Sequence, residues 1–412
     1  MATNTLHVKH GWVWIFAILI FFFNSFLLPE GLTYTLLLTP MWLYLLYLQG
    51  RLSIATGILM PLTIFAVIHL LHGVDIIYYS RSILMIAGMT TFLVVSSFFI
   101  NSSSINWDLI FRDISILNFF FTLLSFCLLF FPSINSVVWY KVPVSLNIDV
   151  PRLKLFTEEA SHYSYLLAPV AIYFYSRAIF FKTTKPLLTL FIITVPFLAS
   201  FSLGVLSAIL FGSIVVFTVY FTRLFSTIKS RVSFFAGVMV IIGLLLVWYK
   251  INPGNILFVR IHNIFNGDDT SARGRTYEAF ILANKVIAQK SYLWGIGPGQ
   301  LKLIGRDIIV QYYLYSKIPE VIRIPNACAE TIVCFGYVGF CIRLVVEAVL
   351  FFTTKVYTSP YRLWLFAFAF IYQFTGSYIT NTAEYLVWII AFSSMFPEYE
   401  KVWTATLKPL KA

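Results

Sequence analysis

The chain has 412 residues, of which 59% are hydrophobic and only 11% are charged, and its mean hydropathy is +0.85. This composition excludes a soluble globular protein, because a soluble domain of this length needs far more polar residues to cover its core. The formal net charge is +12, and the placement of the basic residues decides whether that charge indicates nucleic acid or a membrane.

Apolar runs of about 18 residues or more recur along the chain, and uncharged runs of that length are typical of transmembrane helices. They predict an all-α, polytopic integral membrane protein, in which residues 1–412 form a single membrane domain. About twelve spans are predicted, at residues 11–29, 31–49, 52–71, 82–100, 114–131, 162–181, 186–203, 204–222, 232–249, 327–352, 362–380 and 382–397. The seventh and eighth share one apolar run, which the small residues of ASFSLG at 199–204 divide. No small-residue cleavage site follows the first span, so we expect no cleavable signal peptide.

Basic residues lie mainly on one side of these spans, and the positive-inside rule therefore predicts that both termini are cytoplasmic. The basic residues of the predicted cytoplasmic segments are Lys9, Arg51, Arg112, Lys182, Lys185, Arg223, Lys229, Arg231, Lys355, Arg362, Lys401, Lys408 and Lys411. The short outer loops carry only Arg81. Because membrane topology explains these charges, nucleic acid is not predicted as a partner.

Two predicted outer loops are long, at 132–161 and 250–326, and long loops escape the positive-inside rule. The basic residues of the second loop are Lys250, Arg260, Arg273, Arg275, Lys285, Lys290, Lys302, Arg306, Lys317 and Arg323. Loops of more than about 12–15 residues are usually functional or disordered, and the many aromatic and aliphatic residues argue against disorder. We therefore expect the second loop to be the catalytic part of the protein.

Residues 276–293 of this loop are expected to form an amphipathic helix. The apolar residues that fall on one side at helical spacing are Tyr277, Phe280, Ile281, Ile287 and Ala288. The charged and polar residues on another side are Arg275, Glu278, Lys285 and Gln289. Two arrangements remain open: the helix lies on the membrane surface with its charged side facing a site, or it packs on the bundle as a lid.

The stretch DDTSARGRTYEAF at 268–280 contains two arginines in a chain that otherwise avoids charge. Guanidinium groups form bidentate hydrogen bonds with phosphate oxygens, so Arg273 and Arg275 are candidates for binding a phosphate or diphosphate. The alternative is a local salt-bridge cluster with the acidic residues Asp268, Asp269 and Glu278.

A second candidate segment, TEEASHYSYLL at 157–167, lies where the first long loop enters the sixth predicted span. Glu159 and His162 are three residues apart, so they share a helical face and could act as a general base with an orienting partner. Acidic residues at a helix start, such as Glu158 and Glu159, also serve as capping or dipole features, and that alternative remains open.

The segment RIPNACAE at 323–330 opens the tenth predicted span. Arg323, Asn326 and Glu330 lie at its outer end, where the long loop meets the membrane. Deeper in the same helix, Arg343 and Glu347 are four residues apart, and we interpret them as a structural ion pair.

The sequence contains no strong metal or nucleotide motif. GIGPG at 295–299 lacks the Lys-Ser/Thr and the preceding strand of a phosphate-binding loop, so it predicts a tight turn that returns the chain to the membrane. The four cysteines form no CxxC pair and are interpreted as packing residues. We expect chemistry that uses neither a metal nor a cofactor.

Taken in order, several of these motifs resemble those of the bacterial O-antigen polymerase and O-antigen ligase superfamily. The large penultimate outer loop, SARGR opening a helix, YLWGIGPG closing it and PNACAETIVCFGYVG entering the next span carry the resemblance. EEASHYSYLL is similar to the Glu-Pro-Ser-His-aromatic turn of the polymerase branch, with Ala160 where proline is usual. The likeness covers residues 157–345, and the flanking spans match only in number and hydropathy.

The resemblance implies a metal-independent membrane glycosyltransferase of the C-superfamily type at the periplasmic face of the bacterial inner membrane. Polymerases of this kind transfer the growing glycan from undecaprenyl diphosphate to a sugar hydroxyl of a new lipid-linked repeat unit. Ligases transfer the finished glycan to lipid A-core. The implied partners are undecaprenyl-diphosphate-linked donor and acceptor glycans, membrane lipids, and a chain-length regulator and flippase of the same pathway.

One departure separates the two branches. Ligases usually have a histidine before the asparagine at the start of the tenth span, and Pro325 stands there in this chain, which disfavours a ligase. A flippase for the same lipid-linked glycan is the alternative from another functional class. Flippases usually place ionisable residues at the bilayer midplane and often contain internal repeats, whereas these charges gather at the outer helix ends.

In the polymerase hypothesis, Arg273, Arg275 and Arg323 hold the donor diphosphate, and Arg273 also stabilises the charge that develops as it departs. Glu159 or His162 activates the acceptor hydroxyl as the catalytic base. The residues expected to support these groups are Glu158, Glu278, Asn326 and Glu330.

Overall fold

The apolar runs form helices, because a helix pairs its own backbone N–H and C=O groups and leaves none unsatisfied in lipid. The computed structural model describes residues 10–26, 28, 32–102, 105–145, 148–224, 228–314 and 322–406, and within them the protein is mostly helical. The helices before the first long loop are α1 His10–Phe21, α2 Tyr34–Leu37, α3 Thr39–Leu48, α4 Leu52–Leu71, α5 Ile76–Ile100 and α6 Trp107–Leu128.

From the first long loop to the second, the helices are α7 Pro132–Val138, α8 Ala160–Phe180, α9 Pro186–Ala199, α10 Leu203–Val219, α11 Phe221–Leu224 and α12 Ile228–Ile251. The second long loop contains α13 Ile256–Asn266, α14 Thr270–Arg275, α15 Tyr277–Ile287 and α16 Leu301–Tyr313. The remaining elements are α17 Ala327–Thr353, a short 3-10 helix at Val356–Thr358, α18 Pro360–Tyr372, α19 Thr382–Phe392 and α20 Pro397–Thr406.

Several of these helices are suited to a membrane. Among the described residues, α4, α5, α6 and α17 are long and apolar enough to cross a bilayer, and α9, α10 and α19 are apolar but shorter. The predicted span 52–71 coincides with α4, whereas the predicted span 31–49 is divided into α2 and α3 at Leu38. The predicted division at 199–204 is confirmed, because it falls between α9 and α10. The chain is thus a helical protein with membrane-compatible helices.

The first long loop contains an antiparallel hairpin that the all-α prediction missed. Its strands are β1 Trp139–Ser145 and β2 Ile148–Leu153. The register places Tyr140 opposite Arg152, so their side chains share one face of the hairpin. The indole N–H of Trp139 donates to the carbonyl of Ser125 at 2.8 Å, which fixes the hairpin to α6.

The predicted amphipathic helix is shorter than expected, and it adopts one of the two arrangements that remained open, packing on the bundle. Helix α15 ends at Ile287 rather than at 293, and it packs on α17 as a lid rather than lying apart from the bundle. Small residues, Ala279 and Ala283, are fully buried and let the helices approach closely. Tyr277, which was predicted on the apolar side, is 55% exposed, whereas Glu278 is buried.

Helix α17 is interrupted at Gly336, whose φ of 66° and ψ of −170° lie outside the helical region. Segment 292–297 fills the interruption with backbone hydrogen bonds of 2.9–3.1 Å to residues 333–338. A Cβ at Gly336 would lie 2.1 Å from the carbonyl oxygen of Leu293, so only glycine fits. The GIGPG motif therefore does not only turn the chain. The N–H groups of Ile296 and Gly297 also bond to carbonyls of α17 that lack a helical partner at the interruption.

The predicted ion pair of α17 belongs to a larger buried network. Arg343 Nε lies 3.1 Å from Glu347 Oε1 and donates to Gln373 Oε1 at 2.8 Å. The Nη2 atom of Arg343 pairs with Glu384 on α19. One guanidinium therefore lies between two carboxylates inside the helix bundle, and the i,i+4 spacing alone did not reveal the second one.

Candidate functional site

A cavity of about 720 Å³ lies where the N-terminal ends of α8, α17 and α19 meet the two long loops. The predicted site residues that line it are Glu158, Glu159, His162, Arg275, Arg323 and Glu330. Part of its wall is apolar and is formed by Leu28, Leu32, Met85, Ile86 and Leu301. The cavity thus joins an ionisable region to an apolar one.

Arg275 is held at the cavity by two contacts from other elements. Its Nη2 lies 3.3 Å from Glu159 Oε1, which joins the second long loop to the start of α8. Its backbone carbonyl accepts a hydrogen bond of 2.8 Å from Asn326 Nδ2. Asn326 also caps α17, since its Oδ1 accepts from the N–H of Ala329 at 2.9 Å. Asn326 does not line the cavity, so it positions Arg275 from behind.

The ion pair sets the protonation state of Glu159. Burial acts to raise the pKa of this carboxyl, but Arg275, Ser161 and Arg152 outweigh it and hold the pKa below the ordinary value of 4.5. A carboxylate stabilised in this way is a weak base. Burial acts to lower the pKa of Arg275, and Glu159 together with Tyr372 and Tyr378 raises it instead, so the guanidinium is fully charged.

His162 lies in the cavity wall on the first turn of α8. Its Nε2 atom is buried and has no hydrogen-bond partner among the described residues. A buried nitrogen in that state can take or give a proton without first breaking a contact within the protein. Of the two predicted bases, Glu159 is held in an ion pair with Arg275, whereas the Nε2 atom of His162 is unpaired among the described residues.

Arg323 approaches the cavity from the start of α17. Its guanidinium carbon lies 4.5 Å above the ring centroid of Tyr378, which also lines the cavity. Burial raises the pKa of Tyr378 to about 12, against the lowering effect of Arg323, so the phenol stays protonated at neutral pH. Tyr378 is not predictable as a site residue from the sequence, because it falls at the end of the predicted span 362–380, whereas the structure places it in the short loop between α18 and α19.

Two of the predicted acids connect elements around the cavity. Glu330 Oε2 accepts from the backbone N–H of Ile379 at 2.8 Å, which ties α17 to the loop before α19. The backbone N–H of Glu158 donates to Ser25 Oγ at 3.3 Å, which ties the segment before α8 to the segment after α1. Both residues thus hold the cavity walls together as well as lining it.

Arg273 and Glu278 do not line the cavity. Arg273 Nε lies 2.9 Å from Glu278 Oε1, although its N–H does not point at that oxygen, so the contact is an ion pair rather than a hydrogen bond. Arg273 also donates to the carbonyl of Gly267 at 3.1 Å, and Tyr313 donates to Glu278 Oε2 at 3.2 Å. The salt-bridge alternative thus describes Arg273, whereas Arg275 faces the cavity.

Two further arginines add positive charge near Glu159: Arg152 acts on Glu159 directly, and Arg260 acts on Arg152. Arg152 on β2 is 7% exposed, and its Nε donates to the carbonyl of Ser200 at 3.1 Å. Burial lowers the pKa of Arg152, Glu159 raises it, and Arg260 and Arg275 lower it further. Arg260 Nε lies 3.3 Å from Asp269 Oδ2. The region around Glu159 is therefore rich in positive charge.

A comparison with models of known protein families finds no match to this chain, and a comparison with proteins of established function finds none either.

Proposed function

We propose that this chain polymerises undecaprenyl-diphosphate-linked repeat units into O-antigen or a related surface polysaccharide at the periplasmic face of the bacterial inner membrane. In this proposal the chain has about twelve spans, both termini are cytoplasmic, and the two long loops and the cavity are periplasmic. The single observation that carries the proposal is the cavity itself, in which Arg275 and Arg323 share one space with His162 and an apolar wall.

A lipid diphosphate fits the charge and polarity of this cavity. Arg275 uses Nη2 for Glu159, and a guanidinium has five N–H donors, so others remain for phosphate oxygens. Three helix N-termini converge there, and their partial positive charge favours an anion. The apolar wall that includes Leu28, Met85 and Ile86 suits the first isoprene units of the lipid.

The proposed reaction transfers the glycan without a nucleotide sugar or a metal ion. The bond between the donor C1 and the diphosphate oxygen breaks, and C1 forms a new bond with a hydroxyl oxygen of the acceptor sugar. His162 Nε2 takes the proton of that hydroxyl as it attacks. Undecaprenyl diphosphate departs with the bonding electrons, and Arg275 and Arg323 stabilise its charge.

A charge-removing substitution tests this role. Arg275→Gln in a strain that lacks its own copy should abolish long polysaccharide chains, because the donor diphosphate loses one of its two cavity guanidinium groups. The matched control is Arg306→Gln, which removes an exposed arginine of α16 that does not line the cavity. Normal chain length with Arg275→Gln, at wild-type protein abundance, would contradict the proposal.

A transporter of the same lipid-linked glycan is the second candidate, and one observation favours it. Arg343 is shared by two carboxylates in the bundle, and Glu384 Oε2 is buried without a hydrogen-bond partner among the described residues. Buried ionisable clusters of this kind mark ion or proton pathways in membrane proteins. Proton-dependent movement of the lipid-linked glycan between leaflets, with no new glycosidic bond, would favour this candidate.

A further inference from the structure

Two residues that line the cavity each have a polar atom without a partner in the described part of the chain. These atoms are Nε2 of His162 and the hydroxyl oxygen of Tyr165, and both are buried from solvent. Buried polar groups are nearly always hydrogen-bonded, because an unpaired one loses its hydration without compensation. Two such atoms in residues that line one cavity suit a ligand that supplies hydrogen-bond partners.

The two residues are arranged to act together. His162 and Tyr165 are three residues apart on α8, so their side chains lie on one helical face. The Tyr165 ring packs against Tyr372 and Phe368, with centroid distances of 4.7 and 5.0 Å. This packing fixes the ring, and with it the position that the hydroxyl offers to a ligand.

A neighbouring tyrosine shows how the same helix treats a hydroxyl that serves structure alone. Tyr163 is as deeply buried as Tyr165, with 2% exposure against 1%. Its hydroxyl donates to Asn118 Oδ1 at 2.8 Å, and it does not line the cavity. The fold therefore supplies a partner for the Tyr163 hydroxyl, whereas the Tyr165 hydroxyl has none among the described residues.

We propose that Tyr165 and His162 bind hydroxyl groups of the sugar in a lipid-linked repeat unit, which makes Tyr165 a specificity-determining residue for the glycan. The assignment rests on the proposed function. Neutral donors and acceptors suit sugar hydroxyls, whereas the guanidinium groups of Arg275 and Arg323 suit the diphosphate.

The test compares two lipids on the purified full-length protein. One is undecaprenyl diphosphate, and the other is the lipid-linked oligosaccharide that accumulates in a strain lacking this chain. Tyr165→Phe should weaken binding of the lipid-linked oligosaccharide about tenfold, as expected for one lost hydrogen bond. Binding of undecaprenyl diphosphate should not change, because the diphosphate is held by arginines.

Tyr163→Phe is the matched control. It should leave both affinities unchanged but lower the midpoint of thermal unfolding, because Asn118 Oδ1 loses its donor. Tyr165→Phe should not lower the midpoint of the ligand-free protein, because it removes a hydroxyl that has no protein partner.

Two results would overturn the assignment while leaving the proposed function intact: equal affinities of Tyr165→Phe and wild type for the oligosaccharide, or an equal loss for both lipids. Failure of the wild type to bind undecaprenyl diphosphate would instead refute the proposed function, and this assignment with it.

Discussion

Glu159 and Arg275 form an ion pair of 3.3 Å across 116 residues of sequence, and this contact joins the two long loops at the cavity. Each residue was a candidate by itself, one as a base and the other as a phosphate ligand. Their pairing changes both roles, because Glu159 becomes a weak base that orients Arg275.

Substitution of Arg273 should reduce stability, whereas substitution of Arg275 should reduce lipid binding. Arg273→Gln leaves the buried carboxylate of Glu278 without its cation, so we expect unfolding to become easier by about 1–3 kcal/mol while lipid binding persists. Arg275→Gln should abolish binding of undecaprenyl diphosphate. The measurements are thermal unfolding and affinity for undecaprenyl diphosphate, on both purified variants. Loss of lipid binding in Arg273→Gln, with binding kept in Arg275→Gln, would show that lipid binding is assigned to the wrong arginine.

The ion pair gives a pH dependence whose direction follows from the pKa of Glu159. The folded pKa lies below the ordinary 4.5, so the contribution to stability is complete above that pH and is lost as pH falls through the folded value. Glu159→Gln should therefore destabilise the protein by about 1 kcal/mol at pH 7. As pH falls from 7 to 3, the unfolding midpoint of Glu159→Gln should converge with that of the wild type. A difference between the two midpoints that stays constant with pH would contradict the pairing.

Gly336→Ala should disrupt the junction between α17 and segment 292–297. The added methyl would meet the Leu293 carbonyl oxygen at 2.1 Å, and φ is 66°, so the backbone is strained as well. We expect severe destabilisation, seen as loss of folded protein in size-exclusion chromatography. Gly57→Ala in α4 is the control, because nothing lies within 4 Å of its added methyl. Equal yields of the two variants would argue against the interrupted helix.

Removing Arg343 should be costly, because Glu347 and Glu384 would remain as uncompensated carboxylates inside the bundle. Arg343→Met should lower the free energy of unfolding by about 3–5 kcal/mol. The comparison is Arg112→Met, whose guanidinium pairs with Asp113 at a position where the arginine is 60% exposed. Arg112→Met should change the free energy of unfolding by no more than about 0.5 kcal/mol. Similar unfolding curves for Arg343→Met and Arg112→Met would refute the buried network.

The helices were predictable because the property that forms them is local. An apolar run such as 52–71 has to pair its backbone internally in lipid, and α4 follows it residue for residue. Three residues that line the cavity were also predictable from the sequence. Glu159, His162 and Arg323 lie where polar loops meet apolar runs.

The rest depended on contacts between distant segments. Periodicity placed Tyr277 on the apolar side of a helix, but Tyr277 is exposed and Glu278, which pairs with Arg273, is buried. Tyr165 looked like one more aromatic residue of an apolar helix, and only its unpartnered hydroxyl and its place in the cavity lining distinguish it from Tyr163. Spacing along one segment holds no information on such partners.

The central claim is tested most directly by reconstituting the purified chain in liposomes with its lipid-linked repeat unit, in the absence of nucleotide sugar and ATP. The account predicts a ladder of polymer lengths from the wild type and none from Arg275→Gln. Movement of the lipid-linked unit between leaflets without any ladder would contradict it.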